Sequence, residues 1–271
     1  MQVEILEITE KYARFILSDV DVSFANALRR IMIAEVPCMA INEVVILDNT
    51  SPMFDEILAH RLSLIPLKTD LDRFSFPSEC QCGGVGCPKC QVTLILDVRA
   101  DEGSRVVYSG DLSSSDPYVK PVSDNIPIAK LASNQRIFLE AYARLGRGKD
   151  GAKWQPVSAC AYKYMPRIAV ASDKCINCGD CIEACPRGVL EFDENKVPYL
   201  KDYLNCNLCR ACEEICEVEA IKVDPDENKF IFYVESTGVL PVSKIIELSA
   251  KILAEKCSDL IDALSGGGEE V

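Results

Sequence analysis

Two stretches constrain this chain more than any other. CINCGDCIEACP at 175–186 and CNLCRACEEICE at 206–217 each carry four cysteines, separated by two, two and three residues. They are copies of one unit, offset by 31 residues: Cys175, Cys178, Cys181 and Cys185 map onto Cys206, Cys209, Cys212 and Cys216. The apolar residues that follow repeat too, Val189, Leu190 and Phe192 mapping onto Ala220, Ile221 and Val223. Two such copies are expected to pack about a pseudo-twofold axis.

The spacing C-x2-C-x2-C-x3-C-P is the bacterial ferredoxin run, in which the fourth cysteine serves the other of two iron–sulfur clusters. Three thiolates on so short a loop wrap one face of a cube, and the fourth ligand arrives from the other copy. The first expected site is therefore Cys185, Cys206, Cys209 and Cys212, and the second is Cys175, Cys178, Cys181 and Cys216. The first is preferred because Pro186 follows Cys185 as the run requires, whereas Glu217 follows Cys216. The expectation is one or two 4Fe-4S clusters. A loosely held ligand gives the 3Fe-4S form, and free thiols or a disulfide are the alternative at the second site.

A third group, CQCGGVGCPKC at 80–90, places Cys80, Cys82, Cys87 and Cys90 around three glycines that permit tight turns. Four sulfurs so close suit a closed tetrahedral zinc site, structural because no position is left for water; disulfides or an empty loop are the alternatives. Close C-x2-C spacing favours metal in a chain of this size, since disulfide frameworks belong to small secreted domains. Of the fifteen cysteines, Cys38, Cys160 and Cys257 stand alone and are expected as small buried hydrophobes.

The 271 residues suffice for one large or two to three small domains. A formal charge of −13 argues against extensive direct contact with nucleic acid, and four thiolates around each 2+ core add about −2 per site. No apolar run reaches the ~20 residues of a membrane span, and the start lacks a basic-then-apolar leader. A soluble, cytoplasmic protein is expected. Catalytic signatures are missing. His60 reads as a helix-surface or interface residue, and GRGKDGAK at 146–153 lacks the ending of a phosphate loop.

Elsewhere the chain reads as α+β. Strands are expected at 2–17 (a pair), 40–49, 91–100 and 104–110, and in KFIFYVEST near the end. Phe24, Leu28, Ile31 and Met32 draw the apolar face of a helix capped by Ser23 and stopped by Pro37; a second helix lies between Pro52 and Pro66. Residues 111–135 look irregular, and NQRIFLEAYARLG at 134–146 reads as a short helix ending at Gly146. From Val242 to about Leu264 runs a long amphipathic helix with Val242, Ile246, Leu253, Cys257, Leu260 and Leu264 on one stripe, widened by Ile245 and Ile252; SGGGEEV after it reads as a frayed end. The stripe either covers the chain's own sheet or meets a second chain.

The segment DVSFANALRRIMIAEVPCMAINEVVILDNTSPMFDEILAHRLSLIPL at 21–67, KWQPVSACAYKYMP at 153–166 and the final strand with AKILAEK resemble one known family. It is that of the D-type assembly subunit of archaeal RNA polymerase, bacterial alpha and the third-largest eukaryotic polymerase subunit. The family often has histidine where this chain has Gly151. The resemblance implies a discontinuous alpha-like dimerisation domain (1–41 with 225–271), an inserted mixed α/β domain with the zinc-type loop (42–168), and an inserted ferredoxin-like domain (169–224). It implies a non-catalytic subunit of DNA-directed RNA polymerase that pairs with the small subunit L. The pair, with another small assembly subunit, becomes the platform for the large catalytic subunits. It makes Phe24, Leu28, Ile31, Met32, Ile246, Leu253 and Leu260 interface residues, and Arg29 and Arg30 contacts to the large subunits. The alternative is a ferredoxin-domain electron-transfer subunit of an oxidoreductase, although the chain shows no flavin, nicotinamide or molybdenum signature.

Overall fold

The structure is a computed structural model describing residues 1–266; the last part of SGGGEEV, 267–271, lies outside the described residues. In chain order the elements are β1 (Gln2–Ile8), β2 (Tyr12–Ser18), α1 (Val22–Ala34), β3 (Pro37–Asn49), α2 (Asp55–Ser63), β4 (Val92–Ala100), β5 (Arg105–Tyr108) and β6 (Ser113–Ser114). There follow β7 (Pro127–Leu131), β8 (Gln135–Arg147), β9 (Val157–Val170), α3 (Asp180–Glu183), β10 (Leu190–Phe192), β11 (Pro198–Leu200), α4 (Ala211–Glu214), β12 (Ile221–Ser236) and α5 (Val242–Gly266). This is the mixed α+β composition expected. The chain divides into two compact units. One comprises Met1–Glu7, Arg14–Asn26 and Ala161–Tyr233; the other holds the remaining described residues.

The second unit is built on an antiparallel sheet in the order β3-β8-β4-β6. Its central strand, β8, corrects the helix expected at 134–146. Leu, Ala, Glu and Arg favour helices, yet Ile137, Leu139, Ala141, Ala143 and Leu145 alternate, and all five are buried. That period of two suits a strand flanked on both sides: Ala141 pairs with Val44 of β3 and Leu94 of β4. Gly146 is a strand residue whose added Cβ would meet the Trp154 ring at 2.3 Å, so its missing side chain makes room for that ring. The ring is held from the other end, where Trp154 Nε1 donates to the Arg144 carbonyl at 3.1 Å.

Helix α2 spans less than the interval between its prolines. Phe54 stands at its N-cap without a side-chain cap, but Asp55 and Glu56 in the first turn and His60 and Arg61 in the last complement the helix dipole. Leu58 and Leu62 are buried in the same core as β3, β4 and β8. Residues 111–135, expected irregular, contain β7, which pairs with β5.

The first unit carries most of the sheet ordered β1-β2-β12-β9. Phe15 and Phe232 stack at 5.0 Å, and Tyr162 meets Phe230 edge-on at 5.4 Å. Entry into α1 is capped by Asp21, whose Oδ1 accepts the Phe24 N–H at 2.9 Å, not by Ser23 as expected.

The 31-residue repeat is written into the backbone. Asn177 and Leu208, Gly179 and Arg210, and Gly188 and Glu219 are three equivalent pairs, all in the left-handed region. α3 and α4 are also equivalent, as are the turns Gly188 N–H to Cys185 O (3.1 Å) and Glu219 N–H to Cys216 O (3.0 Å). Val189 with Ala220 and Leu190 with Ile221 are buried alike. Phe192 breaks the symmetry, being exposed where its mate Val223 is buried.

Candidate metal centres and docking face

The loop between α2 and β4 brings Cys80, Cys82, Cys87 and Cys90 together, with their sulfurs all within 4.8 Å of one another. Three positive-φ glycines make this possible: Gly83, Gly84 and Gly86, at +67°, +84° and +109°. Gly83 N–H closes a turn on Cys80 O, and the N–H groups of Cys90 and Gln91 both return to Cys87 O, each at 2.9 Å. The sulfurs of Cys80 and Cys87, and of Cys82 and Cys90, are 3.5 Å apart, and those of Cys87 and Cys90 are 3.9 Å apart. Those separations far exceed the ~2 Å of a disulfide, and all fifteen cysteines are free. They match the edge of a tetrahedron with metal–sulfur bonds of about 2.3 Å, which is roughly 3.8 Å.

The electrostatics point the same way. Backbone N–H donation from Gly86, aided by the neighbouring thiols and Gly84, pulls the Cys82 thiol down to about 6, whereas burial pushes Cys90 up to about 12. The Cys82 thiolate forms readily, while Cys80 and Cys90 resist joining it; a cation at the centre favours their ionisation. The set could hold a single metal ion. Arg144 of β8 braces the loop's exit, its Nε and second terminal nitrogen donating to Gln91 Oε1 at 2.9 and 2.6 Å.

The repeat cysteines are arranged differently. Cys185, Cys206, Cys209 and Cys212 line one cavity together with Arg187 and Arg210. Cys175, Cys178, Cys181 and Cys216 line another together with Asp180. In each, one lining cysteine comes from the other copy. Among the described residues only the 80–90 set draws four ligand atoms within 4.8 Å. Burial pushes the Cys212 thiol up to about 11, and burial followed by repulsion from the Cys178 and Cys175 thiolates raises Cys181. The neutral thiol is thus favoured at Cys212 in one cavity and at Cys181 in the other.

The isolated cysteines divide. Cys38 is buried and Cys160 half-buried, both pushed up to about 12 by burial. Cys257, expected inside, is exposed on α5. His60 is exposed at the end of α2, as a surface residue. Lys153 lies 4.3 Å above the Trp154 ring and donates to Asn42 Oδ1 at 2.9 Å.

The apolar helical residues fall into two groups. Leu28, Ile31, Met32, Val242 and Ile245 are buried within this chain. Phe24, Arg29, Ile246 and Leu253 are half-buried, and Arg30 is exposed. Beyond Leu253 every described position of α5 to Ser265 is exposed, including Leu260 at 61%, Ile261 at 62% and Leu264 at 74%. The sequence stripe left out Ile261, although its place four residues after Cys257 puts it on the same face. Among the described residues no helix is long and apolar enough to cross a membrane.

The family described as the RNA polymerase Rpb3/Rpb11 dimerisation domain matches residues 14–257. The chain is 48% identical over 259 residues to DNA-directed RNA polymerase subunit Rpo3 of Archaeoglobus fulgidus, covering 96% of each chain. It is 43% identical over 266 residues to the Rpo3 of Methanosarcina acetivorans, covering 97% of this chain and 98% of that one. To the Rpo3 of Pyrococcus horikoshii it is 41% identical over 266 residues, with the same coverage.

Proposed function

Because this chain belongs to the RNA polymerase Rpb3/Rpb11 dimerisation family, we propose that it is a non-catalytic assembly subunit of DNA-directed RNA polymerase. It pairs with the small subunit L, and the pair forms the platform on which the large catalytic subunits assemble. The observation that carries this reading is the bare second half of α5, where Leu260, Ile261 and Leu264 stand in solvent. Burying a leucine or isoleucine side chain is worth about 1.5–3 kcal/mol, so a helix that leaves three uncovered on one face is built to be covered. The first half of α5 is seated in the chain by the buried Val242, Ile245 and Ser249. Exposed Arg30 and its neighbour Arg29 supply charge for contacts with the large subunits. The dimerisation domain is 1–41 with 225–271; 42–168 and 169–224 are insertions.

The loop at 80–90 takes zinc, since four thiols at tetrahedral spacing match its preferred coordination. The two repeat cavities take iron–sulfur clusters, 4Fe-4S or its three-iron form. Each cavity is walled by four cysteines in the crossed grouping of two-cluster ferredoxins. The loops also fit such a filling energetically. Leu208 and Arg210 hold left-handed conformations that cost non-glycine residues about 1–2 kcal/mol each, and metal-binding energy offsets this as folding energy. Bound there, a cluster supplies cross-linking between the two copies. The cysteines and the loops orient it. An electron-transfer role is not favoured, because the match to the polymerase-subunit family extends over residues 14–257.

Co-expression with subunit L, followed by mass and metal content of the purified complex, tests the reading. A 1:1 complex is expected, and Leu260→Asp with Leu264→Asp is expected to abolish it while leaving the subunit's own melting temperature within a degree or two. Cys206→Ser with Cys209→Ser is expected to remove the iron of that site and weaken recruitment of the large subunits, while pairing with L survives. A subunit that stays monomeric beside L overturns the proposal.

A further inference from the structure

The two repeat cavities differ in what reaches them from outside the repeat. Lys163, on β9, donates from Nζ to the carbonyl oxygen of Cys206 at 2.8 Å and to that of Leu204. One ammonium group thus grips the peptide on both sides of the loop's entry, at the first ligand of the Cys206, Cys209 and Cys212 triad. Thirty-one residues earlier the equivalent carbonyls belong to Asp173 and Cys175. Among the described residues no side chain donates to either. The cavity walls differ in the same sense, with Arg187 and Arg210 at the first and Asp180 at the second.

We propose that Lys163 is a positioning residue for the site of Cys185, Cys206, Cys209 and Cys212. The inference rests on reading the repeat as iron–sulfur sites. By fixing the carbonyls of Leu204 and Cys206, Lys163 sets the direction in which the buried Cys206 presents its sulfur. Its charge, with those of Arg187 and Arg210, offsets the net charge of about −2 that four thiolates leave around a 2+ core. Partners one step behind the ligands govern retention and electronics together, typically 10- to 100-fold in affinity. The site with Lys163 therefore keeps its iron longer and accepts an electron more readily than its twin.

The test uses the full-length subunit in complex with L. Cys175→Ser, Cys178→Ser and Cys181→Ser together leave only the first site. In this background the parent, Lys163→Met and Lys163→Arg are loaded anaerobically with ferrous iron and sulfide. Iron and sulfide per chain, the rate of iron loss to a chelator, and the reduction potential from a titration with dithionite as one-electron donor, followed by electron paramagnetic resonance, are then measured. Lys163→Met is expected to lose iron roughly tenfold faster and to shift the potential to more negative values, and Lys163→Arg to restore both. In the reciprocal background, with Cys206, Cys209 and Cys212 replaced by serine, Lys163→Met is expected to change nothing. Unchanged retention and potential in the first background, or equal damage at both sites, overturns the inference while leaving the clusters standing. A parent chain that takes up neither iron nor sulfide overturns the iron–sulfur reading itself, and this inference with it.

Discussion

Lys256 Nζ lies 3.0 Å from Glu35 Oε1, joining α5 to the residue that follows α1, 221 positions earlier in the chain. Lys149 Nζ takes the other oxygen at 3.1 Å. The loop bearing Lys149 sits close because of Gly148, at which a Cβ would meet the Ile33 carbonyl oxygen at 2.2 Å. One carboxylate thus anchors α5 where its exposed half begins.

Glu35 makes this anchor dependent on pH. Burial alone would raise its pKa, but the hydrogen bonds and charges of Lys256 and Lys149 outweigh burial and hold it below the usual carboxylate value. A carboxyl depressed on folding contributes stability that is present above its unfolded value and lost as pH falls through its folded one. Both lysines are about half exposed, so each pair is worth at most about 1 kcal/mol. Glu35→Gln is expected to lower unfolding stability by about 1 kcal/mol at neutral pH. Urea titrations at pH 7 and pH 3 check this: the gap between the variant and the parent closes at the lower pH, and shrinks in high salt.

Gly86 is the glycine on which the 80–90 site depends. At φ +109° it lies where side chains are rarely tolerated, and an added Cβ would meet Gln91 Oε1 at 2.7 Å, the atom that Arg144 grips. Gly86→Ala therefore strains the backbone and pushes out the brace together, and it removes an N–H geometry that lowers Cys82. It is expected to weaken metal binding at this loop by tenfold or more, measured by competition with a chromogenic chelator. Ala at Gly83, where nothing lies within 4 Å of the added Cβ, is expected to cost only the left-handed strain, about 1–2 kcal/mol.

What could be read in advance depended on whether the information was local. The repeat was legible because a unit copied at an offset of 31 residues carries its own symmetry, and the left-handed pairs at 177/208 and 179/210 are that symmetry in the backbone. The β8 strand is hidden from a local reading because Ala and Leu propensities describe a peptide alone, while its partners β3 and β4 lie up to about a hundred residues away. The cap at α1 went to Asp21 over Ser23, a shift of two positions that only the turn geometry decides. Lys163 carried no sequence signal: it meets Cys206 across 43 residues.

The crossed grouping gives a test that sequence adjacency would fail. Cys185 closes the run that begins at Cys175, yet it lines the cavity of Cys206, Cys209 and Cys212. Cys185→Ser is therefore expected to perturb the cluster wrapped by residues 206–212 and to spare the one wrapped by 175–181; Cys216→Ser does the reverse. Iron and sulfide counts, with electron paramagnetic resonance in backgrounds where one triad has been replaced by serine, separate the two. Loss of the local cluster in each case would show that each run keeps its own fourth ligand.

Cys257 is placed to report whether a partner covers α5. It is exposed, and it begins the face completed by Leu260, Ile261 and Leu264 at the third, fourth and seventh positions after it. Cys38 and Cys160 have thiols pushed up to about 12 by burial, so at pH 8 they hold almost no thiolate to react. In the metal-loaded subunit, where the twelve clustered cysteines are engaged, iodoacetamide is expected to modify Cys257 first, as mass spectrometry of peptides would show. Addition of subunit L is expected to slow that modification at least tenfold, because the partner buries the face on which the thiol sits. Cys257→Ser keeps the helix and its apolar residues, so it is expected to pair with L normally. Equal labelling with and without L, in a complex shown by mass to be intact, would mean that the partner docks elsewhere and that this end of α5 has another purpose.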